Sequence, residues 1–211
     1  MKILLINCSS DIPEFAIAEN NQLIVNEKMD RDSNADSLIY SLNNSLRKNN
    51  LFKNKLFFNN FDFVSVSNGP GSFTGLRVAL SVAKGLCYAG NQKLILISSL
   101  DIIAQSFLDS EKNYNRDFIA VIPSNMKSGD MYFAVYNSNN GLINKISDYG
   151  IDNLQNLQNQ NLQITEKTGN EMLSQLKLTL VRIDNNNFDD VFTSEPFYLK
   201  EFVPLKSKGE K

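Results

Sequence analysis

The sequence contains no histidine and no tryptophan, and only two cysteines in 211 residues. Without an imidazole it cannot assemble a Ser-His-Asp triad or a Cys-His dyad. A His-Glu-x-x-His zinc site is excluded too, and so is the side chain that titrates nearest neutral pH. Cys8 and Cys87 are too few for a four-thiolate metal site, and their separation gives no disulfide framework. No apolar run approaches the roughly 18 residues that a membrane span needs. The apolar start at Ile3–Ile6 is too short for a signal peptide and meets Asn7 at once. A net charge of −2 gives no global basic footprint for nucleic acid. These absences point to a cytoplasmic protein whose chemistry rests on carboxylates, Lys, Arg, Tyr, hydroxyls and backbone amides, or is done by a partner.

What is present suits a folded chain. Hydrophobic residues make up 42% and charged residues 21%, enough for one large domain or two small lobes. Asparagine occurs 29 times, scattered among periodic apolar positions. It reads as compositional bias of an AT-rich coding sequence rather than as a prion-like tract.

Lys2–Ser9 reads as a buried strand. Glu14–Ala18 and Gln22–Met29 flank Asn20-Asn21 as a hairpin. From Ser33 to Asn49 the period changes: Leu38, Ile39, Leu42 and Leu46 share a helix face, with Ser33 or Asn34 as N-cap. Phe61–Ser67 alternates as a strand, and Gly75–Ala89 is a helix apolar almost all round. Lys93–Ser98 is a strand, followed by a helix over Leu100–Leu108. A polar link over Glu111–Arg116 separates this α/β lobe, residues 1–110, from a smaller one, 111–211. The second lobe opens with a strand at Phe118–Ile122 and a hairpin turning on Asn140-Gly141. Helices are expected near Ile151–Gln160 and Thr168–Leu176, a strand over Leu178–Ile183, and a lysine-bearing tail with Lys206, Lys208 and Lys211.

The most informative segment runs from Asn68 to Arg77, NGPGSFTGLR. Gly69, Gly71 and Gly75 lie between a strand and a helix, where glycine permits close backbone approach. Ser72 or Thr74 can cap the helix. Free amides at a helix start favour an anion, so the loop reads either as a phosphate cradle or as a tight turn laying the helix on its sheet. Its G-x-G-x-x-x-G spacing is not the dinucleotide fingerprint. Walker A would need Gly-Lys-Ser/Thr where Gly75-Leu76-Arg77 stands.

The stretch SNGPGSFTGLRVALSVAKGLCYA resembles the signature of the TsaB (YeaZ) family. The opening ILLINCSS, the helix start Asn34-Ala35-Asp36-Ser37-Leu38-Ile39, the stretch NMKSGDMYFAVY at 125–136 and EPFYLK at 195–200 resemble other family segments in order. The resemblance implies a two-lobed α/β fold of the actin, sugar-kinase and Hsp70-like (ASKHA, ribonuclease H-like) class. It also implies a non-catalytic scaffold in the threonylcarbamoyl modification of ANN-decoding tRNAs. The implied partners are the transferase TsaD, met through first-lobe helices, and the ATPase TsaE. A homodimer through the same surface is implied as well, with tRNA reached only through the complex. ATP and metal are expected on those partners, with no cofactor held by this chain alone.

The expected partner surface comprises Leu38, Ile39, Leu42, Leu46, Leu76, Leu80, Ala83 and Cys87; the alternative is that both helices simply bury these faces against their own sheet. The motif loop comprises Gly69, Pro70, Gly71, Ser72, Phe73, Thr74, Gly75 and Arg77. Arg77 and Lys84 are candidates for an anion or a partner carboxylate, or for ordinary paired charges. Asp101 and Asp130 are the carboxylates to look for in a cleft. Asn7 stands where fold relatives carry an Asp, Asn34 where the family often has His, and Asn125 and Lys127 where Asp and Arg are common. Each lost carboxylate is a lost cation ligand or base. The alternative reading is a small-molecule phosphotransferase or ATPase working through the Gly69–Gly75 loop. A peptidase would need a Ser-Lys or aspartic motif, and the sequence has neither.

Overall fold

In a computed structural model, residues 1–30, 35–52, 57–111, 113–124, 129–166 and 169–199 are described. Ser33, Asn34, Asn125, Lys127, Lys206, Lys208 and Lys211 lie outside the described residues.

The first sheet contains β1 (Lys2–Asn7), β2 (Glu14–Glu19), β3 (Gln22–Lys28), β4 (Phe63–Ser67) and β5 (Lys93–Ile97), in the order β3-β2-β1-β4-β5. The β1–β2–β3 meander is antiparallel, while β4 and β5 run parallel to β1. Central β1 is buried along its whole length, which is why its sequence is continuously apolar instead of alternating. Two crossover helices, α1 (Ala35–Lys48) and α2 (Phe73–Gly90), cover one face. Leu38, Leu42 and Leu46 of α1 and Ala79, Leu80 and Ala83 of α2 join Leu4, Ile6, Val64 and Val66 in one core.

The second sheet is ordered β10-β6-β7-β8, from β6 (Phe118–Pro123), β7 (Asp130–Asn139), β8 (Leu142–Lys145) and β10 (Gln163–Thr165); β9 (Gly150–Asn153) also pairs with β7. Helix α3 (Ser99–Ser110) covers one face with Leu100, Ala104 and Phe107 against Phe118, Ala120, Ala134 and Tyr136. Short α4 (Leu154–Gln158) sets Leu157 on the other face, against Ile119, Val121 and Met131. Helix α5 (Glu171–Asp184) returns to the first sheet and packs Met172 and Leu176 on Ile3, Leu5, Ala16 and Ala18. The result is the expected two-lobed α/β architecture. The strands of the first sheet lie within 1–110 and those of the second within 111–211, while α3 packs on the second sheet and α5 on the first.

Three local expectations change. Leu178–Ile183 is the second half of α5, not a strand: Leu180 and Ile183 continue the face begun by Met172 and Leu176. A helical burial pattern overrides the local alternation there. Strand β9 and helix α4 divide the segment expected to be one helix, and three-residue β10 was not expected. Both strands are too short to carry a periodic signal.

After α5 the chain forms a strap. Asp189 bridges antiparallel to Leu94 and accepts from the Leu96 N–H at 2.7 Å. Residues 190–198 then run along α2 from its C-terminal end to its N-terminal end. Phe192 meets Tyr88, Lys84 donates to the carbonyls of Phe192 and Ser194, and Tyr198 meets Phe73 and Arg77.

Candidate functional site

The motif loop joins β4 to α2 and rests on the turn that follows β1. A Cβ on Gly71 would collide with the Ser9 carbonyl, and one on Gly75 with the Cys8 carbonyl. Glycine at both positions lets the start of α2 lie directly on that turn. Three amides at the start of α2 are engaged inside the chain. Ser72 donates its N–H to Ser9 at 2.8 Å, Gly75 to the Ser72 hydroxyl at 3.3 Å, and Leu76 to the Ser72 carbonyl at 2.9 Å. Ser72 is thus the N-cap, as its position suggests. On the other side of the loop, Gly69 accepts from the Ser99 N–H at 2.8 Å and from the Ser98 hydroxyl at 3.2 Å. Between the two sequence readings, the geometry favours the tight turn.

A cavity of about 430 Å³ lies between the lobes. Ser9, Ser10, Asp11, Ile12, Gly71 and Ser72 line it from the first lobe; Val121, Ile122, Pro123 and Glu166 line it from the second. Ile103 of α3 and Glu171 of α5 complete the wall. Among these described residues the ionisable groups are all carboxylates. Asn7, at the end of β1, is committed within the chain. Its Oδ1 accepts from the Ser9 N–H at 3.1 Å and the Ser9 hydroxyl at 2.7 Å, and its Nδ2 donates to Glu171 at 3.5 Å.

The two flagged carboxylates do not enter this cavity. Asp101 accepts both the Tyr136 and Tyr149 hydroxyls on one oxygen, at 2.7 and 2.9 Å. Burial raises its pKa above the usual carboxylate range, and those hydrogen bonds offset only part of the rise. Asp130 begins β7, where its carbonyl accepts from Ser124. Cys8 and Cys87 are buried, and desolvation pushes both thiols up to about 12, which makes them inert small hydrophobes.

The expected partner surface needs correction. Leu38, Leu42, Leu46, Leu76, Leu80, Ala83 and Cys87 are all buried in the chain's own core; of the eight residues only Ile39 is exposed. A helix apolar on most sides is satisfied here without a partner, because the sheet, α1 and the strap between them cover it. The outer face of α2 is instead Thr74, Arg77, Ser81, Gly85, Tyr88 and Ala89. Tyr88 and Phe192 are more than 70% exposed and meet edge to face, and Ile39 and Tyr40 stand out on α1. Gly85 has open space where a Cβ would stand. Lys84 is paired with strap carbonyls, as one sequence reading allowed. Arg77 stacks on Phe73 at 4.0 Å to the ring centroid, and its Nε donates to the Tyr198 hydroxyl at 3.0 Å. Sequence reasoning missed the strap because residues 190–198 are irregular, with no periodic pattern to read.

Residues 43–193 match the family model described as TsaD, tRNA N6-adenosine threonylcarbamoyltransferase. Curated relatives are named tRNA threonylcarbamoyladenosine biosynthesis protein TsaB. One, from Buchnera aphidicola of Schizaphis graminum, is 33% identical over 39% of this chain and 37% of its own length. Another, from Buchnera aphidicola of Baizongia pistaciae, is 27% identical over 65% of this chain and 58% of its own length. The Escherichia coli protein is 34% identical over 35% of this chain and 30% of its own length. The chain thus spans between about a third and three fifths of the curated relatives it matches. Two solved structures share the fold from end to end. A Pseudomonas aeruginosa protein described as similar to peptidase YEAZ has a TM-score of 0.77 at 16% identity, covering 94% of this chain and 99% of that one. YeaZ from Pseudomonas aeruginosa has a TM-score of 0.74 at 17% identity, with the same coverage. Among the described residues, no helix is long and apolar enough to cross a membrane.

Proposed function

Because this chain belongs to the TsaB (YeaZ) family, within the wider group described by the threonylcarbamoyltransferase model, we propose that it is a non-catalytic docking subunit in tRNA threonylcarbamoyladenosine biosynthesis. Its partner in this reading is a TsaD-type transferase, which supplies the metal, the nucleotide site and the transfer chemistry. The contact is made by the outer faces of α1 and α2 together with the strap. Docking there shifts the transferase toward its active shape by favouring one of its conformations.

One observation carries the reading: Gly85 stands in mid-helix on the exposed face, with nothing of its own chain near it. A glycine there costs the helix about 1 kcal/mol relative to alanine. Gly71 and Gly75 earn their place inside the chain; Gly85 has no such internal role, and a backbone approaching from outside would give it one. Ser81 and Ala89, one turn to either side, keep that floor low; Tyr88 and Phe192 pack together at the C-terminal end of the same helix, and Ile39 and Tyr40 are exposed on α1. The α2 helix alone is about 27 Å long. With α1 and the strap beside it the face offers roughly 700 Å², close to one side of a standard interface.

The rival phosphotransferase reading draws little support. Ser72 and Gly75 donate their amides within the chain, and Asn7 ends β1 with a neutral amide where that chemistry calls for a carboxylate. Calorimetry of the purified chain with the TsaD-type transferase of the same organism tests the docking reading. Pairing that is lost in Gly85→Arg supports it, and absence of pairing by the wild type refutes it.

A further inference from the structure

We propose that Arg77 is a pre-set fork for a carboxylate on the docking partner, an inference that rests on the docking reading above. The guanidinium is held in place before any partner arrives. It lies over the Phe73 ring at 4.0 Å, its Nε donates to the Tyr198 hydroxyl at 3.0 Å, and the Tyr198 and Phe73 rings pack at 5.2 Å. Yet Arg77 is exposed, on the same helix face as Ser81 and Gly85. Among the described residues, no carboxylate or carbonyl takes either Nη. A planar fork with its stem locked and its two terminal nitrogens unclaimed among the described residues suits a paired contact with a carboxylate. The ordering cost of a long side chain has been met by the strap, which is what makes such an arginine an anchor at an interface.

The anion belongs to a protein rather than to tRNA. Binding a nucleic-acid backbone takes several cations acting together. On this face Lys84 is turned onto the strap carbonyls at 3.0 and 3.1 Å, and the chain's net charge is −2. The exposed large side chains on these two helices and the strap are apolar or aromatic: Ile39 and Tyr40 on α1, Tyr88 and Phe192 at the far end of α2. An arginine at the edge of such a face, with its neighbour Lys84 already paired, fits a protein interface with a polar rim.

The test is calorimetry of the full chain against the TsaD-type transferase of the same organism, at low and high salt, with a melting curve for each variant. Arg77→Ala should weaken pairing by about 30-fold, and its affinity should depend less on salt. Arg77→Lys should recover little, since an ammonium cannot make the paired contact. Tyr198→Phe, which keeps the ring but unlocks the fork, should cost about threefold. Gly85→Arg tests the docking reading independently. If it abolishes pairing while Arg77→Ala binds like the wild type, the fork is refuted and docking stands. If the wild type does not pair, both fall. A lower melting temperature in Arg77→Ala with unchanged affinity makes Arg77 only a staple for the strap, and overturns the proposal. Weakened tRNA binding by the complex with unchanged pairing assigns the fork to phosphate, and also overturns it.

Discussion

The backbone N–H of Phe197 donates to the carbonyl of Asn68 at 2.7 Å. Through this bond the strap, last of the described segments, is fastened to the residue that leads into the motif loop. The Phe197 ring also packs on Tyr149 at 5.2 Å, and Tyr149 donates to Asp101 of α3. The second lobe, the motif loop and the flank of α2 therefore meet at one residue.

Phe197→Ala keeps the backbone bond and removes the ring. It should cost about 1–2 kcal/mol, because the side chain is only partly buried. For a chain of this size that lowers the melting temperature by about 2–8 °C, measurable by calorimetry. An unchanged midpoint would mean that the strap is held by its backbone alone.

The glycines should separate by location. Gly75→Ala drives a Cβ into the Cys8 carbonyl and should destabilise the fold by about 2 kcal/mol or more. Gly85→Ala meets nothing and should stabilise the isolated chain by up to about 1 kcal/mol. If the α2 face is a docking surface, the same Gly85→Ala should weaken pairing. Urea unfolding and calorimetric titration of both variants check the two halves of this prediction.

Leu42→Asp and Ala83→Asp should unfold the chain instead of disrupting pairing alone. Both positions are fully buried, and an unpaired carboxylate there costs about 4 kcal/mol or more. Loss of the cooperative melting transition is the expected result. Folded variants that merely fail to pair would contradict the packing described above.

Asp101 gives a pH dependence whose sign follows from its raised pKa. A folded-state pKa above the unfolded value means that stability from this group is fully present below the unfolded pKa. It is lost as pH rises through the folded pKa. Asp101→Asn keeps an oxygen for the two tyrosine hydroxyls but does not titrate. The wild type should therefore gain stability relative to Asp101→Asn as pH falls from neutral toward the ordinary carboxylate range. Urea midpoints of the pair across that interval check it; a wild type that loses ground toward acid would reverse the assignment.

Much of the first lobe was legible because its signals are local. Continuous apolar β1, the Asn20-Asn21 hairpin and the Ser72 cap each follow from a few neighbouring residues. The candidate surface was not legible, for a physical reason. Apolar pattern reports which residues are buried, not by what, and α2 is enclosed by α1, the sheet and a strap without periodicity. Asparagine was also underread. Every described non-glycine residue at positive φ is Asn: positions 20, 21, 50, 91, 113, 140, 161 and 186. Whatever its compositional origin, Asn tolerates the left-handed region better than other side chains, and here it closes hairpins and ends helices.

The most direct test of the docking account is a titration of the wild-type chain into the TsaD-type transferase of its own organism, with Gly85→Arg run alongside. The account predicts a saturable complex with the wild type, and a loss of at least about tenfold in affinity with Gly85→Arg while its melting curve is retained. Equal binding by both proteins, or none by the wild type, contradicts it.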